Sequence, residues 1–248
     1  MATARGKVDG MNLVEIGKLS ARVVGGDDRQ GGGTGPVVVL LHGFGAPGSD
    51  LVSLHRVIDA PPGTRWVFPE APIALGGPFG DGRAWWQIDM AELQSIKARN
   101  AERELTDRNP VGIELARDAL SSFLDALPAK LNVDPKKIVL GGFSQGAMLS
   151  LDNVLRDAER PLAGLVLMSG SIVGKPTLVP LFPKRKSLPV FASHGREDPV
   201  LPFSIADGLV GELKTAGYSV DWVPFRGGHG IGDPVVAELG KFLRRVLE

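Results

Sequence analysis

The chain has 248 residues, of which 43% are hydrophobic, and its 28 Lys plus Arg balance 28 Asp plus Glu for a formal net charge of zero. Those values exclude a wholly disordered chain and give no electrostatic case for nucleic acid or an anionic surface as partner. The absence of cysteine removes disulfides, thiolate metal sites and a cysteine nucleophile together.

Met1–Gly10 lacks the apolar core of a secretory signal, and no run approaches the ~18 apolar residues of a membrane span. A cytoplasmic location is therefore the expectation. Leu19–Val24 reads as a short edge strand, and residues 25–36, with six glycines, as a flexible loop. Val37–Leu41 is a continuous branched apolar run, the pattern of a strand covered on both faces. Similar runs recur at Trp66–Phe68, Lys137–Leu140, Leu162–Met168, Leu188–Ala192 and Val220–Val223. Residues 91–109 carry mixed charges on a helix-like pattern and read as a small flap. Asn109-Pro110 gives a capping residue followed by a first-turn proline, before a helical stripe of Ile113, Ala116, Leu120, Phe123 and Leu127. Asp233-Pro234 does the same for a last helix striped by Val236, Leu239, Phe242, Leu243 and Val246. Strands alternating with helices predict an α/β fold over residues 1–248, a single domain with a mostly parallel sheet and helices on both faces.

Gly142-Phe143-Ser144-Gln145-Gly146 has the pattern G-x-S-x-G. The motif is short, and its context decides: it follows an apolar run and precedes the helical stretch Ala147–Leu155. That is the strand–turn–helix setting of a nucleophile elbow, in which a sharp turn lifts the serine hydroxyl above the sheet. A Cβ at Gly142 or Gly146 would collide where strand and helix crowd together. A serine nucleophile needs a base, and the base an orienting carboxylate. Of four histidines, His42, His55, His194 and His229, only the last two follow Ser144. His229 stands in a glycine-rich loop between the last strand and the last helix, where an imidazole can reach inward from the carboxyl edge of a sheet. Asp198 lies between Ser144 and His229, completing the order Ser, Asp, His of α/β-hydrolases. Its rival is Glu197; Asp198 is preferred because Asp-Pro fixes an extended exit from its turn. His194 as base would leave only Asp152, Asp157 or Glu159 as intervening acids. His42 and His194 read instead as loop-shaping residues bonded to local backbone, and His55 as a boundary residue. The oxyanion donors predicted are the backbone N–H groups of Gln145 and Phe44, the latter between Gly43 and Gly45.

The segments Leu40-Leu41-His42-Gly43-Phe44-Gly45, Phe68-Pro69-Glu70-Ala71-Pro72, Arg83-Ala84-Trp85-Trp86, Gly142–Ala147, Gly195–Val200 and Gly228-His229 stand in the order of one family. From about residue 36 onward the chain resembles the phospholipase/carboxylesterase family of α/β-hydrolases, which includes acyl-protein thioesterases and small bacterial esterases. The resemblance implies an α/β-hydrolase fold and ester or thioester hydrolysis with no metal or other cofactor. It also supports Ser144, Asp198 and His229 as the triad. The chain departs from the family pattern at Trp86-Gln87, in the long charged stretch Met90–Asn109, and in the glycine-rich 25–36. The expected activity is that of a serine carboxylesterase acting on small apolar acyl esters. The alternatives are an acyl-protein thioesterase or lysophospholipase, or a hydrolase fold that only binds a ligand. Leu75, Phe79, Trp85 and Trp86 are expected to bound the acyl pocket, since adjacent tryptophans in a glycine-punctuated loop suit a binding wall.

Overall fold

The structure is a computed structural model that describes residues 13–99 and 101–248; the Met1–Gly10 segment lies outside them. Its centre is an eight-stranded sheet ordered β1-β2-β4-β3-β7-β8-β9-β10. The strands are β1 (Leu13–Ile16), β2 (Leu19–Gly25), β3 (Val37–Leu41), β4 (Arg65–Pro69), β7 (Ile138–Phe143), β8 (Gly164–Met168), β9 (Val190–Gly195) and β10 (Val220–Phe225). β1 and β2 form an antiparallel hairpin, β2 joins β4 antiparallel, and every later pairing is parallel. β2 is thus an inner strand rather than the edge, because β1 pairs along its outer side. The four residues of β1 carry only one fully buried side chain, so no apolar run announced them.

Period-two alternation distributes the strand side chains between two cores. Val37, Val39, Leu41, Leu140, Leu165, Leu167 and Val190 face one layer, built from α3 (Ile113–Leu131), α4 (Gln145–Arg156) and α6 (Phe203–Thr215). Val38, Leu40, Val139, Val166, Met168 and Phe191 face the other, under α7 (Asp233–Leu247) and the 3-10 turn Val52–Arg56. The stripe read for α3 is fully buried. The helix itself begins three residues later than its Asn-Pro signal, because Gly112 at φ +88° breaks the helical path after Pro110. α7 likewise takes Gly232 as its cap, with Asp233 inside the first turn.

Two segments outside the sheet bear on the site. The hairpin of β5 (Ile73–Ala74) and β6 (Arg83–Ala84) docks on the loop after β3, through Gly45 N–H to Arg83 C=O (2.9 Å) and Arg83 N–H to Ala46 C=O (3.0 Å). The charged stretch after it forms α1 (Met90–Ala98), capped by Asp89, and α2 (Glu102–Asp107). α2 packs toward α5 (Lys175–Leu178), and together with α6 they border a cavity of about 570 Å³ floored by Ile172, Val179 and Leu209. The 25–36 stretch folds back on itself, with Asp28 accepting from the N–H groups of Gln30 and Gly32 at 2.8 Å. Among the described residues no helix is long and apolar enough to cross a membrane.

Candidate active site

Ser144 sits between β7 and α4 with φ +53° and ψ −117°, a backbone that an L-residue holds only under constraint. The constraint is visible: Ser144 N–H donates to Met168 C=O on β8 at 2.9 Å, and its own carbonyl accepts from Met148 N–H at 3.1 Å. The flanking glycines are steric necessities. A Cβ on Gly142 would lie 2.5 Å from the Leu41 carbonyl oxygen, and one on Gly146 2.2 Å from the same atom. The strained turn therefore presents the hydroxyl at the carboxyl edge of the sheet.

Two further loops converge on it. His229, on the loop after β10, places Nε2 2.9 Å from Ser144 Oγ and Nδ1 2.7 Å from Asp198 Oδ2. Glu197 points the other way, its carboxylate exposed beside Arg226. Backbone bonds knit the two loops together: Arg196 N–H to Phe225 C=O and Glu197 N–H to Gly227 C=O, both 2.9 Å. Ser169, itself at φ +47°, donates through Oγ to the Gly230 carbonyl at 3.0 Å and so pins the Gly230–Ile231 peptide, one residue beyond His229. The Phe143 ring lies 4.9 Å from the His229 ring, walling it on one side.

The Asp198 carboxylate is fully removed from solvent. Burial alone would raise its pKa. Hydrogen bonds from His194, His229 and the Leu201 N–H outweigh that penalty and hold the carboxyl well below the ordinary range. It is an anion held by its donors. His42 is the opposite case: burial pushes its imidazole down, and it serves structure as a neutral ring. Nδ1 donates to Gly43 C=O at 2.8 Å while Nε2 accepts from Ala71 N–H at 3.1 Å.

The residues expected around the oxyanion and acyl pocket divide into two groups. Phe44 lies beside the serine, since a Cβ on neighbouring Gly43 would stand 3.4 Å from Ser144 Cβ. Phe79 meets Phe44 edge to face at 5.6 Å and covers Gly45; with half-buried Leu75 it lies on the exposed hairpin side of this loop. Trp85 and Trp86, by contrast, are only 1% and 3% exposed and belong to the core under α3. The two tryptophans expected to bound the acyl pocket thus stand inside the core. The cause is Gln145, whose buried amide accepts from Trp85 N–H and donates to Trp86 C=O, both at 2.9 Å. Trp85 Nε1 adds a bond to His42 C=O at 3.0 Å. This clamp joins residues about 60 positions apart, so no local pattern could announce it; the one available signal was a glutamine directly after the serine, where a helix start needs none.

A family model described as Phospholipase/Carboxylesterase matches residues 28–247. The chain belongs to that family. It is similar to acyl-protein thioesterase 1 of Candida albicans, 27% identical over 226 residues that cover 85% of this chain and 92% of the relative. The corresponding protein of Kluyveromyces lactis is 32% identical, with 67% and 71% covered. Among solved structures, esterase PE8 superposes with a TM-score of 0.76 at 30% identity, covering 92% of this chain and 99% of that one. The carboxylesterase from Mesorhizobium loti shares the fold with a TM-score of 0.70 at 21% identity, over 95% and 99% of the two chains. The protein is thus a serine hydrolase of the α/β-hydrolase fold and a carboxylic ester hydrolase.

Proposed function

We propose that the protein is a serine carboxylesterase for short- to medium-chain acyl esters, working through Ser144, His229 and Asp198. The observation that carries this reading is the unbroken hydrogen-bonded line from the buried Asp198 carboxylate through His229 to the hydroxyl of a conformationally strained serine. Ser144 Oγ attacks the acyl carbonyl carbon as His229 Nε2 takes its proton, and Asp198 holds the Nδ1–H tautomer and stabilises the imidazolium. The N–H groups of Phe44 and Gln145 receive the tetrahedral oxyanion. Collapse expels the alkoxide, which takes the proton from His229, and leaves an acyl-serine that water hydrolyses by the same steps in reverse order. Phe79, packed on Phe44, and Leu75 of the same hairpin supply the apolar edge against which the acyl chain lies.

Hydrolysis of a p-nitrophenyl ester series from acetate to palmitate tests this reading. The wild type is expected to peak among the shorter esters, and Ser144→Ala to lose about 10⁴–10⁶ in kcat with its fold unchanged. A Ser144→Ala enzyme with a tenth of the wild-type rate defeats the nucleophile; a peak at palmitate defeats the chain-length assignment alone. A second reading, hydrolysis of acyl thioesters on proteins, is favoured by the names of the curated relatives. It predicts a higher kcat/KM on an acylated cysteine peptide than on any oxygen ester.

A further inference from the structure

Asp198 receives more than the one imidazole that the catalytic line requires. Its Oδ1 accepts from the N–H groups of Val200 at 2.7 Å and Leu201 at 2.9 Å. Its Oδ2 accepts from His229 Nδ1 at 2.7 Å and stands 3.1 Å from Nε2 of a second histidine, His194. His194 is the penultimate residue of β9, wholly buried, and the same Nε2 lies 2.9 Å from the Leu201 carbonyl oxygen. Both neighbours of Nε2 are acceptors, so that nitrogen carries a proton. Nδ1 is buried without a hydrogen-bond partner among the described residues, and a proton there would be orphaned. The ring is therefore the neutral Nε2–H tautomer, its one proton shared between a backbone carbonyl and the carboxylate oxygen that already holds His229.

We infer that His194 is a positioning residue of the reaction: its Nε2–H fixes Asp198 Oδ2 in line with His229 and draws off part of the carboxylate's negative charge. The inference rests on the reading of Asp198 as the acid of the site. With two backbone donors on Oδ1 and two imidazole donors on Oδ2, all four lone-pair directions of the carboxylate are filled, and it cannot rotate without breaking a bond. The charge effect has a definite sign. A carboxylate that shares its charge with a second donor stabilises the neighbouring imidazolium less, so losing His194 strengthens the grip of Asp198 on protonated His229 and leaves the base protonated to higher pH. Arg196 lies across the Phe203 ring, 4.8 Å above it, with that ring 6.2 Å from His194, and β10 presents Pro224 in register.

The test compares His194→Gln, whose side-chain amide keeps a donor near the Nε2 position, with His194→Met, of similar length and no donor. Rates on p-nitrophenyl butyrate are followed across the pH range, beside thermal unfolding. His194→Met is expected to lose about 10–100-fold in kcat with little change in KM. Its acid limb of kcat/KM should move upward by about half a pH unit, and His194→Gln should recover a substantial part of both. A His194→Met enzyme with the wild-type rate and acid limb overturns the inference. So does an equal loss in both variants with the limb unmoved, the mark of a residue that merely shapes its loop. Nitrogen-15 imidazole spectra of the wild type, which need no folded variant, must show His194 protonated at Nε2 and bare at Nδ1; the reverse tautomer also overturns it. Asp198→Asn retaining wild-type activity would instead defeat the underlying reading of the acid and is scored separately.

Discussion

Two glycine-rich regions of the molecule use the residue for opposite reasons. In the pair of loops carrying Asp198 and His229, glycine answers to crowding: a Cβ on Gly195 would lie 2.2 Å from Gly228 O and 2.4 Å from Gly227 O. At the tip of the β5–β6 hairpin, Gly76, Gly77 and Gly80 have positive φ, yet a Cβ on any of them would meet nothing within 4 Å. There glycine only permits the chain to reverse. The Asp198 and His229 loops are locked by packing and backbone bonds, whereas the hairpin is anchored at its base and open at its tip. The two regions thus differ in their tolerance for change.

The largest break in that contrast is chemical. Asp198→Asn is expected to lower kcat by about 10⁴, because an amide permits the wrong imidazole tautomer. Glu197→Gln, one residue away but outside the relay, should stay within about twofold; reversed effects in steady-state assays would move the acid to Glu197. Next comes Gly195→Ala, which forces two backbone carbonyls apart and should cost about 3 kcal/mol of stability and about 100-fold in kcat. Gly80→Ala meets only the backbone penalty of positive φ, about 1 kcal/mol, with turnover of short esters nearly unchanged. Denaturant unfolding beside kcat measures both. Trp86→Ala excavates the core and should cost about 3–5 kcal/mol, whereas Phe79→Ala should leave stability nearly intact and raise KM a fewfold for medium-chain esters. If Trp86→Ala proves stable and shifts the chain-length profile, the division between core and mouth fails there.

The smallest effect is electrostatic. Asp198 has a depressed folded-state pKa, so its ionisation favours the native state above the ordinary Asp value near 3.9, and that advantage is lost as pH falls through the folded value. The stability gap between wild type and Asp198→Asn should therefore hold at neutral pH and close progressively below about pH 4. The single tyrosine gives a control far from either loop. Tyr218 donates to Phe182 C=O at 2.9 Å, and burial pushes its phenol up to about 12. Its contribution is complete below the unfolded value near 10 and disappears as pH rises to about 12. Absorbance of tyrosinate should rise there, together with unfolding.

Much of this arrangement was legible in the sequence because it is local or ordered along the chain. Buried parallel strands are written as continuous apolar runs, and Ser144 is marked by a five-residue motif set between a strand and a helix. Placing Asp198 and His229 needed only their order and their positions after strands. What escaped was set by distant partners. The burial of Trp85 and Trp86 depends on the Gln145 amide, and the second imidazole on Asp198 depends on a strand that brings His194 within reach four residues before it. β1 escaped because its length and half-exposed surface carry no pattern. The start of α3 was misplaced because Asn109-Pro110 imitates a cap, while Gly112 defers the first helical turn.

Gln145 has consequences for how such an enzyme can diverge. One residue follows Ser144 directly in the chain and spends its side chain bolting Trp85-Trp86 into the core. A change in the tryptophan segment therefore acts on the residue next to Ser144, and on the proposed reading it should cost turnover as well as stability. At the hairpin tip Gly76, Gly77 and Gly80 carry no such linkage, whereas Phe79 between them packs on Phe44. Insertions at Gly76-Gly77 that leave Phe79 in place are expected to be tolerated best, which makes this turn the natural place to begin a library.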